Sequence, residues 1–145
     1  IEGMGGATQT ERVFTRPGDP DHVINIKFYR RGEPLKLSKV IPPLEHLGLN
    51  VAQEATYEVT PGDGLPPCII HDFRTEEGLG RAVDKGAVRK NVEEALEAIF
   101  SGRTEDDGFN ALVVSAGLNW REAWLLRAAA KYLLQAGIPF SLGYI

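Results

Sequence analysis

The sequence predicts an α+β fold: an antiparallel sheet with helices on one face, followed by two additional helices. Three observations carry this. Residues 23–29, 50–60 and 68–73 alternate apolar and polar side chains with the period of strands that have one face on a core. Side chains able to cap helices are followed three positions later by an acid at Asn91/Glu94, Thr104/Asp107 and Asn119/Glu122. Glycines at 48, 102 and 117 fall where the helical periods stop.

Residues 1–21 are rich in Gly, Thr, Asp and Pro, end in Pro17-Gly18-Asp19-Pro20, and read as a flexible lead-in. In the first strand Ile24, Ile26 and Phe28 face one way, against Asn25, Lys27 and Tyr29. Arg30 to Pro34 turns the chain. Ser38 is placed to cap a helix carrying Val40, Ile41, Leu44 and Leu47 and closed by Gly48, with an irregular early part because Pro42 and Pro43 lack an N–H. Residues 50–60 put Val51, Ala55, Tyr57 and Val59 on one side and Glu54, Thr56 and Glu58 on the other. A Pro/Gly/Asp turn joins them to Cys68–Phe73 as an antiparallel hairpin. Residues 74–90 lack a sustained period and read as a long connection or frayed helix. Helical faces follow: Val92, Ala95, Leu96, Ile99 and Phe100; then Phe109, Leu112, Val113 and Ala116; then Ala123, Leu126, Ala130, Leu133 and Leu134.

The order strand, helix, strand, strand, helix is the ferredoxin-like βαββαβ plan without a visible last strand. Three sources are open for that strand: residues after Ile145, a neighbouring chain, or a stretch whose pattern hides it. The division expected is a flexible lead-in at 1–21, an α+β domain at 22–102 and a helical linker or interface segment at 103–145. A start at Ile1 leads us to expect a piece of a longer protein.

Composition excludes several functions. The 145 residues are 43% apolar and 25% charged, enough for a real core. Sixteen basic against twenty acidic side chains give a net charge of -4, the wrong sign for charge-driven binding to nucleic acid. No run approaches the roughly 20 apolar residues of a membrane span. The single Cys68 fits a reducing compartment, and cytoplasm is the expected location.

No catalytic or metal cluster emerges from spacing. On a strand Cys68 and His71 point to opposite faces and cannot share one metal without a bulge. Glu105, Asp106 and Asp107 diverge around a helix entry. Gly78-Leu79-Gly80 does not sit between an apolar strand and an apolar helix as a dinucleotide fingerprint must. Catalytic, cofactor-binding and metal residues are therefore expected to be absent here. The last helix is different, because Trp124, Leu125 and Tyr132 project opposite its Ala123/Leu126/Ala130 face. They are the expected interface residues, toward another domain or subunit.

Pro34-Leu35-x-Leu37-Ser38-x-Val40-x-Pro42-x-Leu44-Glu45-x-Leu47-Gly48-Leu49, Ile70-His71-Asp72-Phe73, and Asp107-Gly108-Phe109-Asn110-x-Leu112-Val113 leading to Ala116-Gly117-Leu118-x-Trp120-Arg121-Glu122 resemble the large bacterial NAD-specific glutamate dehydrogenases. The likeness continues through Leu126-Arg127-Ala128, Lys131-Tyr132-Leu133 and Gly137-Ile138-Pro139-Phe140, and covers residues 22–145. Departures are local: Pro43 doubles a proline, and Ala55-Thr56-Tyr57 lacks the arginine often found before the tyrosine.

The resemblance implies an internal ACT-like regulatory module and the helical bridge toward a catalytic core. The parent enzyme oxidises L-glutamate with NAD and water to 2-oxoglutarate, ammonia and NADH. NAD would be bound by the full enzyme and no cofactor by this segment, which by itself would be inactive. Its implied partners are the remaining domains of the same enzyme in a homo-oligomer. An amino-acid effector would bind where the first strand turns into the first helix, at Arg31, Gly32 and Ser38. There Gly32 permits close backbone approach, or else simply makes the turn while Ser38 caps the helix. The alternative is a stand-alone ACT-like amino-acid-sensing or protein-interaction module.

Overall fold

The computed structural model describes residues 8–139. Residues 1–7 of the lead-in and Phe140 of the last quoted motif lie outside the described residues. The strands are β1 (Gln9–Phe14), β2 (Val23–Arg31), β3 (Leu49–Val59) and β4 (Cys68–Glu77). The helices are α1 (Leu37–His46), α2 (Lys85–Phe100), α3 (Ala111–Ser115), preceded by a 3-10 turn at Gly108–Asn110, and α4 (Trp120–Gln135).

The four strands form one antiparallel sheet in the order β1-β2-β4-β3. In the βαββαβ plan the last strand lies beside the first, on the side away from the hairpin. Here that place is filled by β1, so the fourth strand comes from upstream rather than downstream. This corrects the reading of residues 9–14 as part of a flexible lead-in. Gln9-Thr-Glu-Arg-Val-Phe shows no clean alternation because its inward positions hold both Glu11, opposite Phe28, and Val13, opposite Ile26.

The helices α1 and α2 cover one face of the sheet. Ile24, Ile26, Phe28 and Phe73 from the strands meet Val40, Leu44 and Leu47 from α1 and Val88, Val92, Ala95 and Leu96 from α2. Phe28 sits edge-on to Phe73 at 5.5 Å and to Phe100 at 5.7 Å, a favoured arrangement of aromatic quadrupoles. The other face is partly closed by the β1–β2 connection. Arg16 reaches Asp72 at 2.7 Å and Asn25 at 3.0 Å, while Asp19 receives Arg74 and Asn25, each at 2.6 Å.

Several local expectations change. Lys36, not Ser38, occupies the N-cap of α1 and makes no side-chain cap; Lys39 N–H closes the first turn onto Lys36 O at 2.9 Å. Both prolines lie inside the helix. In β3 the register shifts between Val51 and Gln53, which puts Val51 on the helix side and Ala55, Tyr57 and Val59 on the opposite side. The span 74–90 is irregular only over 78–84: β4 runs to Glu77, and α2 starts at Lys85 under Asp84, whose carboxylate accepts from Gly86 and Ala87 N–H. Asn91 lies within α2 and donates instead to Gly117 O at 3.2 Å. Asp107, not Thr104, caps the 3-10 turn. The Asn119–Glu122 capping box is present as expected.

Candidate effector turn and docking helix

The β2–α1 turn is held from below. Leu35 is buried, and its N–H donates to Nε2 of His71 at 3.0 Å. Nδ1 of the same ring lies 3.3 Å from Thr56 Oγ1 and 3.4 Å from Glu54 Oε1, so His71 links β4, β3 and the turn. Its backbone partner is a donor, so in the neutral ring Nε2 bears the lone pair and Nδ1 the proton. The register places His71 on the helix side and Cys68 on the other, as strand alternation requires.

Arg31, Gly32 and Ser38 lie along this turn and all three are exposed. Gly32 has φ +89, which a side chain would strain, but its N–H is already used by Pro67 O at 2.9 Å. Ser38 stands in the first turn of α1 and does not cap it. The structure thus brings the three onto one exposed turn without enclosing them.

The helix α4 is fastened by Ala123 and Ala130, which are buried, and above all by Arg127. Arg127 is 1% exposed, and its guanidinium forms a forked pair with Asp107 (Nε 2.8 Å, Nη2 2.8 Å) while also donating to Asn110 Oδ1 at 2.8 Å and Thr104 Oγ1 at 3.2 Å. Burial raises the proton affinity of Asp107, but the hydrogen bonds and charge of Arg127 outweigh it and hold the carboxyl below its ordinary range. The three consecutive acids do not all diverge: Glu105 and Asp107 both meet Arg127, Glu105 also reaching Lys131, and only Asp106 turns away, to His46 at 2.7 Å. Sequence reading missed Arg127 as a buried residue. The available signal was its position in the 123/127/130 stripe, the one stripe α4 buries.

Around that stripe α4 is bare. Trp124 (46% exposed), Leu125 (62%) and Tyr132 (70%) project outward as expected, and Leu126 (47%) and Leu133 (37%), expected on the inner face, are exposed as well. A helix apolar on more than one side belongs between neighbours rather than at a water boundary.

The glycine turn after β4 offers no cradle for a dinucleotide. Leu79 N–H and Arg81 N–H donate to the carboxylate of Glu77, Gly78 N–H goes to Gly48 O and Gly80 N–H to Glu77 O. A buried carboxylate occupies the place a phosphate would need, on an antiparallel sheet, and these residues do not fit NAD.

Comparison with known families agrees with this geometry. The model described as glutamate dehydrogenase, ACT3 domain, matches residues 10–88, from β1 into α2. The chain belongs to the glutamate dehydrogenase ACT3 family. A second model, glutamate dehydrogenase, helical motif 3, matches residues 104–145. The chain is 39% identical over 122 residues to the NAD-specific glutamate dehydrogenase of Halomonas elongata, covering 84% of this chain and 7% of that protein. It is 39% identical over 131 residues to the one of Mycobacterium tuberculosis (88% and 8%) and 42% identical over 122 residues to the one of Pseudomonas aeruginosa (84% and 8%). The chain therefore spans less than a tenth of the length of these relatives. Among the described residues no helix is long and apolar enough to cross a membrane.

Proposed function

We propose that this chain is a non-catalytic regulatory or structural segment of an NAD-dependent glutamate dehydrogenase. In that enzyme L-glutamate, NAD and water give 2-oxoglutarate, ammonia and NADH on parts of the polypeptide outside these residues. The observation that carries the reading is the pairing of an ACT3 unit with a helical motif 3 whose α4 exposes five large apolar side chains. Such a helix joins the α+β unit to something larger. We divide the chain between residues 102 and 103, with β1 included in the α+β unit. The expected setting is a cytoplasmic homo-oligomer in which Trp124, Leu125 and Tyr132 meet the remaining domains or another subunit.

An amino-acid effector at Arg31, Gly32 and Ser38 is the regulatory form of the same proposal. The exposed place of Ser38 in the first turn of α1 supports it, whereas the engaged N–H of Gly32 removes one donor from the site. Calorimetric titration with glutamate and a panel of other amino acids tests it. Saturable heat abolished by Ser38→Ala is expected, and no heat at millimolar ligand removes the effector role.

Steady-state assay of the chain with saturating glutamate and NAD tests the non-catalytic reading. No NADH is expected. NADH formation that follows the chain through purification from host enzymes would overturn it.

A further inference from the structure

The two edges of the sheet are treated differently. Beside β1 lies α2, and Glu93 Oε1 accepts the N–H of Val13 at 2.8 Å, so a helix carboxylate occupies that edge. At the opposite edge, β3 has no such cover along residues 53–59. No backbone group there bonds outside the β3–β4 ladder among the described residues, and Tyr57 and Val59 are 55% and 37% exposed. The segment contains no proline or lysine, two common devices that blunt an edge.

The register shift at Ala52 sorts its side chains. Glu54, Thr56 and Glu58 lie opposite Phe73, His71 and Ile69 on the helix side; Ala55, Tyr57 and Val59 lie opposite Asp72, Ile70 and Cys68 on the other. An added strand would meet acids on one face and an apolar strip on the other. Antiparallel pairing of two β3 edges about Thr56 would set Glu54 of each against Glu58 of the other, which disfavours a second copy in that register. We propose that residues 53–59 receive an extended segment alternating basic and apolar side chains, the basic ones toward Glu54 and Glu58 and the apolar ones toward Tyr57 and Val59. Main-chain hydrogen bonds would supply affinity and this alternation the selectivity. The inference goes beyond the docking role of α4, which lies on a different element.

The test titrates the isotope-labelled chain with a short capped peptide alternating lysine and valine, and with its glutamate/valine counterpart. The lysine peptide is expected to shift the amide signals of residues 53–59 and slow their hydrogen exchange, and the glutamate peptide to do neither. Glu58→Lys, at an exposed position, should leave the thermal transition unchanged and weaken the lysine peptide about threefold to tenfold. Four results overturn the proposal: no change at residues 53–59, equal binding of the two peptides, indifference to Glu58→Lys, and protection of 53–59 that rises with the chain's own concentration, which would make a second copy the occupant.

Discussion

Nε2 of His71 accepts the backbone N–H of Leu35 at 3.0 Å, and this one bond ties the turn proposed to bind an effector to the middle of the sheet. His71 is 2% exposed, so removing the acceptor leaves a buried donor with no water to replace it. His71→Leu is expected to destabilise the chain by about 1–3 kcal/mol in urea unfolding. Amide exchange of Leu35 should accelerate more than that of Ile26 in the core. Equal acceleration at both would mean that the loss is general rather than centred on the turn.

Arg127 and Asp107 set the stability of the C-terminal half. A forked pair with further bonds to Asn110 and Thr104 satisfies most of the buried guanidinium, and losing the carboxylate leaves that charge without its main partner. Arg127→Met leaves the part-exposed carboxylate of Asp107 able to recruit water, so it is expected to cost about 1–3 kcal/mol, through the bonds lost to Asn110 and Thr104, and to release α4 while β1–β4 stay ordered. Asp107→Asn removes the main counter-charge of a guanidinium that is 1% exposed and should cost at least as much. Helix signals in α4 lost without loss of sheet signals is the pattern that checks this; joint loss would show that α4 is integral to the α+β unit.

The sheet, α1 and the capping box of α4 were legible because each has a local cause: alternation, a terminating glycine, or an Asn and Glu at matched spacing. What was hidden has nonlocal causes. β1 reads as a loop because Glu11 occupies an inward position, beneath α2, where a strand pattern needs an apolar residue. One extra residue near Ala52 inverts the faces of half of β3, and no composition signal marks it. The start of α2 was missed because Lys85, Arg89 and Lys90 are solvated and only Val88 and Val92 face the core. Arg127 and His71 became buried groups through partners distant in the chain: Arg127 through Asn110 and Asp107, 17 and 20 residues away, and His71 through Leu35, 36 residues away.

Acid should unfold the chain through Asp19 among others. Its hydrogen bond from Arg74, joined by Asn25 and the N–H of Arg16, overcomes burial and lowers its carboxyl from 3.8 to about 2. Glu77 is also lowered: burial opposes, and the backbone and guanidinium of Arg81 prevail. A carboxyl with a depressed folded value stabilises above its unfolded value and loses that contribution as pH falls through the folded one. Stability should therefore decline from about pH 4 toward about pH 2, and Asp19→Asn should flatten that decline. A variant with the same slope would remove Asp19 from the account.

Glu11 has the opposite sign. Burial raises its carboxyl above 4.5, the neighbouring charge of Glu97 adds to this, and the hydrogen bond from Gln9 at 2.6 Å only partly offsets it. The folded state holds the proton more tightly than the unfolded chain, so stability is lost as pH rises through this range. Glu11→Gln is expected to raise the melting temperature at neutral pH and to change little well below pH 4.5. A lower melting temperature at neutral pH would show that the carboxylate serves the fold.

The outer surface of α4 carries the connection to the rest of the enzyme in the proposed function. Trp124 lies on one flank, Leu126 and Leu133 on the other, and Leu125 and Tyr132 opposite the buried stripe, so no single orientation against this chain's own core can cover them all. Excluding water from two aromatic side chains contributes a few kcal/mol at roughly 25 cal/mol per Å². In the chain by itself those groups stay in water or recruit a second copy. Replacing Trp124 and Tyr132 together by serine is therefore expected to weaken any self-association in sedimentation while leaving the sheet intact. In the full-length polypeptide the same pair should increase hydrogen exchange across residues 120–135. If sedimentation is unchanged and α4 exchanges freely in the unaltered full-length protein, α4 faces solvent there and its docking role is wrong.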